Sequence, residues 1–211
     1  MDTNDQAILY YVHDPMCSWC WGFHKTWSQV ETRLSRDHNL RVEYLLGGLA
    51  PDSNDPMPAA LRSAIPNYWR RIQEHIPGTE FNYDFWEKCE PRRSTYPACR
   101  AVITAKRMDP RKEKDMILGI QQAYYLQAEN PSDDSTLIEV AQRIGLNQTQ
   151  FAKQLNSKTT NQLFDDQLTL TFKLGARSFP SLVLKVGQRL HQISFDYNSV
   201  EATISYIRRC L

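Results

Sequence analysis

Five cysteines stand in the chain, at 17, 20, 89, 99 and 210, and only the first two are close together, in Cys17-Ser18-Trp19-Cys20. Two thiols three positions apart lie about one turn from each other on a helix, so their sulfurs share a side. Such a pair suits thiol–disulfide exchange, in which one thiolate attacks a disulfide and the second thiol resolves the mixed disulfide that results. The competing chemistry is half of a zinc site. That requires a second ligand pair, and the sequence holds neither another Cys-x-x-Cys nor a closely spaced His pair.

The elements that position the pair can be read from periodicity. Ile8-Leu9-Tyr10-Tyr11-Val12, closed by His13-Asp14-Pro15, predicts a buried strand ending in a turn. From Cys20, the apolar residues Phe23, Trp27, Val30 and Leu34 fall on one helix face until Asp37-His38-Asn39. Leu40 to Leu46 predicts a second strand, closed by Gly47-Gly48. Strand, Cys-x-x-Cys, helix and strand make a βαβ unit with Cys17 at the helix amino terminus, where unpaired N–H groups and the dipole favour a thiolate. Cys17 is thus the expected nucleophile, accessible to solvent, and Cys20 the shielded resolving thiol one turn below.

After Pro51 the texture changes to prolines and aromatics without strand alternation, which predicts short helices joined by loops, with Trp69, Phe85 and Trp86 in their core. Leu137, Ile138, Ala141 and Ile144 share a face ending at Gly145, and Asn147 with Gln150 caps the next helix. Phe164, Leu168 and Phe172 form the face of another helix, ending at Gly175. A hairpin follows, Ser181 to Val186 and Arg189 to Ser194 around Gly187-Gln188, and Asn198 with Glu201 opens a last helix whose apolar face carries Val200, Ile204 and Ile207.

With 211 residues and 41% hydrophobic content the chain can build a substantial core, and Lys+Arg 25 against Asp+Glu 24 leaves a net charge of +1. No global field therefore draws nucleic acid or an acidic membrane surface. An odd number of cysteines, an acidic amino end (Met1 to Asp5) without the pattern of a secretory signal, and the lack of any run near about 20 apolar residues predict a soluble cytoplasmic protein holding thiols.

Taken with Gly175-Ala176-Arg177-Ser178-Phe179-Pro180-Ser181 leading into the hairpin, this order of elements resembles the DsbA-like branch of the thioredoxin superfamily. The stretch Asp14-Pro15-Met16-Cys17-Ser18-Trp19-Cys20-Trp21-Gly22-Phe23 is most similar to its FrnE-like bacterial disulfide isomerase group. The resemblance covers nearly the whole chain. It implies an α/β thioredoxin-like fold with a large helical insertion: residues 1–50 and 166–211 as the thioredoxin-like domain, 51–165 as the inserted helical subdomain. It implies Cys17 as attacking thiol, Cys20 as resolving thiol, and a loop with a cis Phe179–Pro180 bond that lies beside Cys17 and holds the substrate backbone, with Phe179, Pro180 and Trp19 as substrate-binding residues. The activity implied is that of a thiol–disulfide oxidoreductase or protein disulfide isomerase. No metal or fixed cofactor is implied. The partners are protein or peptide thiols and disulfides, with glutathione as a candidate redox partner, and neither nucleic acid nor membrane. Kappa-class transferases and chromene-carboxylate isomerases share the inserted topology but typically carry serine in place of the thiol pair; a noncatalytic peptide-binding or zinc module is a further alternative.

Around the pair, the first strand offers no acid to take the proton of Cys20. His13 and Asp14 are the nearest candidates, against readings of Asp14 as a turn cap and His13 as solvated or packed. Of the aromatics that could form an apolar platform (Trp19, Trp21, Phe23, Trp27), Phe23 and Trp27 share the core face and Trp19, between the cysteines, is expected exposed. Cys99 reads as a small buried helix residue, His24 as solvated, and Arg92, Arg93 and Arg100 as a solvated basic cluster.

Overall fold

Alternation along the first strand decides which helices cover which face of the sheet. In the computed structural model, which describes residues 6–211, strand β1 (Ala7–His13) turns Leu9 and Tyr11 to one side and Tyr10 and Val12 to the other. The acidic amino end, residues 1–5, lies outside the described residues. Helix α1 (Ser18–Leu34) and helix α9 (Val200–Arg208) cover the first side, where Leu9, Tyr11, Phe23, Trp27, Ile204 and Ile207 are buried together. The second side packs on Leu174 and Ala176, at the carboxyl end of helix α8 (Lys158–Lys173).

Strand β2 (Leu40–Leu46) pairs parallel to β1, with Ala7 opposite Leu40 and His13 opposite Leu46. Strand β3 (Ser181–Val186) pairs antiparallel to β1, and β4 (Arg189–Ile193) antiparallel to β3, giving the order β2-β1-β3-β4. The last two form the expected hairpin, turning at Gly187 with φ +57°.

Between β2 and β3 run α2 (Ala59–His75), α3 (Phe85–Lys88), α4 (Tyr96–Met108), α5 (Glu113–Tyr125), α6 (Asp134–Arg143), α7 (Gln148–Leu155) and α8. Their own core centres on Trp69, Phe85, Tyr124 and Tyr125, with Trp86 partly buried against it. Within this span, strand-like pairing among the described residues amounts to one isolated bridge, Pro56 to Arg92. Met16 and Trp21, flanking the cysteine pair, are buried in this helical core and not in the sheet's, so the motif sits at the seam of two cores. The position 165/166, at which the family resemblance divides the chain, falls inside α8.

Two local readings change. Phe172 is not on the buried face of α8 but 62% exposed; Thr160, Phe164 and Thr171 are the buried positions, because eight residues at 3.6 per turn carry Phe172 about 80° around the helix from Phe164. The cap of α9 is Ser199, accepting from Ala202 N–H at 3.2 Å, while the Asn198 side chain donates to the His75 carbonyl at 3.0 Å. The Asn147 cap of α7 is as expected, accepting from Gln150 N–H at 2.9 Å.

Candidate active site

Asp14 is the anchor from which the site is built. It is fully buried, and a carboxylate removed from water needs its lone pairs filled. One oxygen accepts from Met16 N–H at 2.8 Å, tightening the turn; the other accepts from Leu49 N–H and the Thr95 hydroxyl, both at 2.6 Å. The Cys99 thiol of α4 lies 3.7 Å from that second oxygen. Burial raises the Asp14 pKa, opposed by the Leu49, Thr95 and Met16 donors. Asp14 is thus a turn cap, as one reading of the sequence has it, but one that also ties the motif to the segment after β2 and to the helical insertion. The Asp14 carbonyl then accepts from Cys17 N–H at 3.0 Å and sets the entry to α1.

Cys17 is the N-cap residue of α1, with extended backbone (φ −81°, ψ 116°), so its sulfur stands at the helix's open amino end. Cys20 is one turn on. Both are free thiols. Cys17 retains 6% exposure and Cys20 none, so the order of access is as expected, although Cys17 is itself largely covered by its neighbours. Burial, followed by the hydrogen bond with Cys17 and the charge of Cys17, pushes the Cys20 thiol well above its ordinary pKa, and the Asp14 backbone amide opposes this. Ser18, between them, accepts from Trp69 Nε1 at 2.9 Å, a second tie from the motif to the insertion.

The loop before β3 meets the pair across the site. The Phe179–Pro180 peptide bond is cis, and the Cys17 thiol donates to the Phe179 carbonyl at 3.4 Å. Gly47, at the end of β2, makes room for this: a Cβ there would overlap the Phe179 ring. A groove of about 380 Å³ opens beside Cys17, lined by Met16, Trp19, Leu61 and Ile65 together with Arg93 and Arg177.

Several neighbours differ from their expected settings. Trp19 is half-buried and not exposed, its ring lying against Tyr197 and edge-on to His75. His13 is fully buried, stacked on Tyr11 with ring centroids 5.1 Å apart, and neither ring nitrogen has a hydrogen-bond partner, so it is packed beside the thiols without bonding to them. His24 is not free in solvent: it stacks on Trp21 at 4.0 Å and bonds to that residue's carbonyl. The basic cluster is divided. Arg100 is 7% exposed and forked onto Asp52 at 2.7 and 2.9 Å, Arg92 pairs with Asp133 at 2.7 Å, and only Arg93 keeps its charge for the groove. Cys99 is the buried helix residue expected, yet its contact with Asp14 had no signal in the sequence. Among the described residues no three His, Cys, Asp or Glu side chains cluster to hold a metal ion, and no helix is long and apolar enough to cross a membrane.

A family model described as thioredoxin matches residues 10–193. The chain belongs to that family. It is similar in structure to a candidate protein disulfide isomerase from Nitrosomonas europaea, at 26% identity and TM-score 0.84 over 97% of both chains. The cytosolic disulfide reductase DsbM from Pseudomonas aeruginosa, also solved with GSH, is 25% identical at TM-score 0.71 over 89% of each chain. These likenesses establish an α/β thioredoxin core carrying a large helical insertion, the DsbA-like architecture. Among curated sequences the chain is similar to the ClpXP adapter protein SpxH of Halalkalibacterium halodurans (23% identity, 83% of this chain) and of Bacillus subtilis (21%, 85%). It spans 57% and 64% of the length of those two relatives.

Proposed function

We propose that this thioredoxin-family protein is a thiol–disulfide oxidoreductase or protein disulfide isomerase, with Cys17 as attacking thiol and Cys20 as resolving thiol. The observation that carries the reading is the stacking of three features at one point: a thiol at the open end of α1, a second thiol buried one turn away, and a substrate-sized groove bordering only the first. In this reading Cys17 attacks a disulfide entering by the groove. One substrate sulfur leaves as a thiol while the other bonds to Cys17. Cys20 then gives up its proton, attacks the Cys17 sulfur and expels the second thiol, leaving a Cys17–Cys20 disulfide. Burial first, and the neighbouring Cys17 sulfur second, hold the Cys20 thiol above its ordinary pKa, and bonding Cys17 to substrate removes the second of these causes.

Phe179, Pro180 and Trp19 contact the substrate in this proposal, and residues 51–165 act as the subdomain that closes the groove over the 1–50 and 166–211 core. Protein or peptide disulfides are the substrates and glutathione the redox partner; the GSH complex of DsbM supports the latter. A cytoplasmic location is supported by the name of that same relative, and the FrnE-like assignment by the motif sequence. A second reading, an adapter that binds through the groove without exchange, is favoured by the SpxH relatives. Turnover of a disulfide-bonded protein substrate in glutathione buffer separates them: exchange requires activity in the wild type and its loss in Cys17→Ser, whereas an adapter binds its partner equally in both and turns over nothing.

A further inference from the structure

The groove beside Cys17 carries charge of one sign. Of the side chains that line it none is an Asp or Glu, while Arg92, Arg93 and Arg177 all reach it. Arg92 is neutralised by Asp133 at 2.7 Å and by the Ser132 carbonyl. Among the described residues, neither Arg93 nor Arg177 has an ion-pair partner. In a chain of net charge +1, the half-buried Arg92 and the buried Arg100 are each matched by a carboxylate, whereas half-buried Arg93 and exposed Arg177 share one groove with no acid in its lining.

Arg93 is half-buried on the insertion side, in the segment that leads into α4. Arg177 lies in the loop before β3, two residues before Phe179, and its guanidinium lies over the Phe172 ring, 4.1 Å from the centroid. That contact also accounts for the exposed Phe172. A planar guanidinium pre-set by stacking is suited to a two-point hydrogen bond with a carboxylate. The volume of about 380 Å³ falls at the low end of small-molecule sites.

Resting on the exchange reading above, we propose that the redox partner that oxidises the pair through Cys17 is a small disulfide whose thiol halves carry carboxylates on either side of the sulfur, the chemistry of glutathione disulfide, and that Arg93 and Arg177 select it. The reduced protein and one such disulfide give the Cys17–Cys20 disulfide and two small thiols. One S–S bond breaks and one forms, two electrons pass from the cysteine pair to the ligand, and the two thiol protons end on the released thiols. Arg93 and Arg177 touch no reacting atom; they act as specificity determinants by fixing the carboxylates while the ligand sulfur faces Cys17.

The test is the rate at which reduced protein is oxidised by three disulfides: glutathione disulfide, uncharged 2-hydroxyethyl disulfide, and dicationic cystamine. Wild type is expected to react fastest with the first and slowest with the last, relative to the rates of a free thiol such as N-acetylcysteine. Arg177→Gln, at an exposed position, and Arg93→Gln are each expected to slow the glutathione reaction by roughly ten-fold, the order of a partly exposed charge-assisted hydrogen bond. The hydroxyethyl rate stays within about two-fold, and the gap between the two closes as salt is raised. Arg177→Lys should recover part of the loss. Equal slowing with all three disulfides, or none with any, overturns the proposal, as does a wild type that shows no preference for glutathione disulfide but reacts preferentially with a disulfide in an acidic peptide. If no disulfide oxidises the pair at all, the hydroxyethyl arm reveals that it is the exchange reading itself that has failed.

Discussion

Acidification offers a sensitive probe of the packing under the thiols, through His13. The ring is completely buried, stacked on Tyr11, edge-on to Tyr44 at 5.7 Å, and without a hydrogen-bond partner on either nitrogen. Burial pushes its pKa down from 6.5 to about 3. The folded-state value is depressed, so above 6.5 the ring is neutral in folded and unfolded chains and costs nothing. Between 6.5 and about 3 the unfolded chain binds a proton that the folded one refuses, and stability falls as pH falls. The slope is about 1.4 kcal/mol per pH unit, or about 3 kcal/mol lost by pH 4.5 from this residue alone. His13→Phe keeps an aromatic ring in the stack and removes the titration. Urea denaturation of both proteins at pH 7.5, 6, 5 and 4.5 should give curves that agree within about 1 kcal/mol at the top of the range and diverge by one proton's slope below 6.5. Asp14 and every other carboxylate contribute alike to both, so the difference isolates His13. Parallel pH dependence in the two proteins would refute the reasoning, because it requires a His13 that is hydrated or partnered in the native state.

Two further outcomes follow from the site geometry. Iodoacetamide at neutral pH should modify Cys17 well before Cys20, since Cys20 has no exposed surface and its thiol is held above its ordinary pKa; peptide mapping showing Cys20 modified first would reverse the assigned roles. Gly47→Ala should displace the Phe179 ring from its seat and slow exchange by roughly ten-fold or more while the mutant still folds, because the overlap falls on a side chain at the groove and not on the sheet. Unchanged kinetics in that variant would detach the Phe179 loop from the chemistry.

What the sequence reveals here and what it hides divide along contact distance. Strand β1, the apolar face of α1, the hairpin at Gly187 and the cap at Asn147 are each specified by residues within a turn or two of one another, and periodicity or turn chemistry reads them directly. The approach of Cys17 to Phe179 spans most of the chain and was legible only through the resemblance to a family. The partners of Asp14 were not legible at all: Leu49, Thr95 and Cys99 come from segments that meet only when the insertion docks on the sheet, and each is unremarkable in its own neighbourhood. Arg100 and Arg93 show the same limit, seven positions apart and identical in type; Arg100 is consumed by Asp52 while Arg93 faces the groove. At Phe172 the repeated spacing of four from Phe164 and Leu168 pointed inward, but two such steps drift about 80° around the helix, Thr171 takes the buried position, and the ring is left outside beneath Arg177.

The central claim is that Cys17 and Cys20 act as one redox pair, attacker and resolver. Its most direct test is mass spectrometry of the acid-quenched protein after a short exposure to glutathione disulfide, for wild type and for Cys20→Ser. Wild type should pass to an intramolecular Cys17–Cys20 disulfide without accumulating an adduct, and Cys20→Ser should stall with one glutathionyl group mapped to Cys17. An adduct that persists on Cys17 in wild type, or a glutathionyl group mapped to Cys89, Cys99 or Cys210 in place of Cys17, would contradict it.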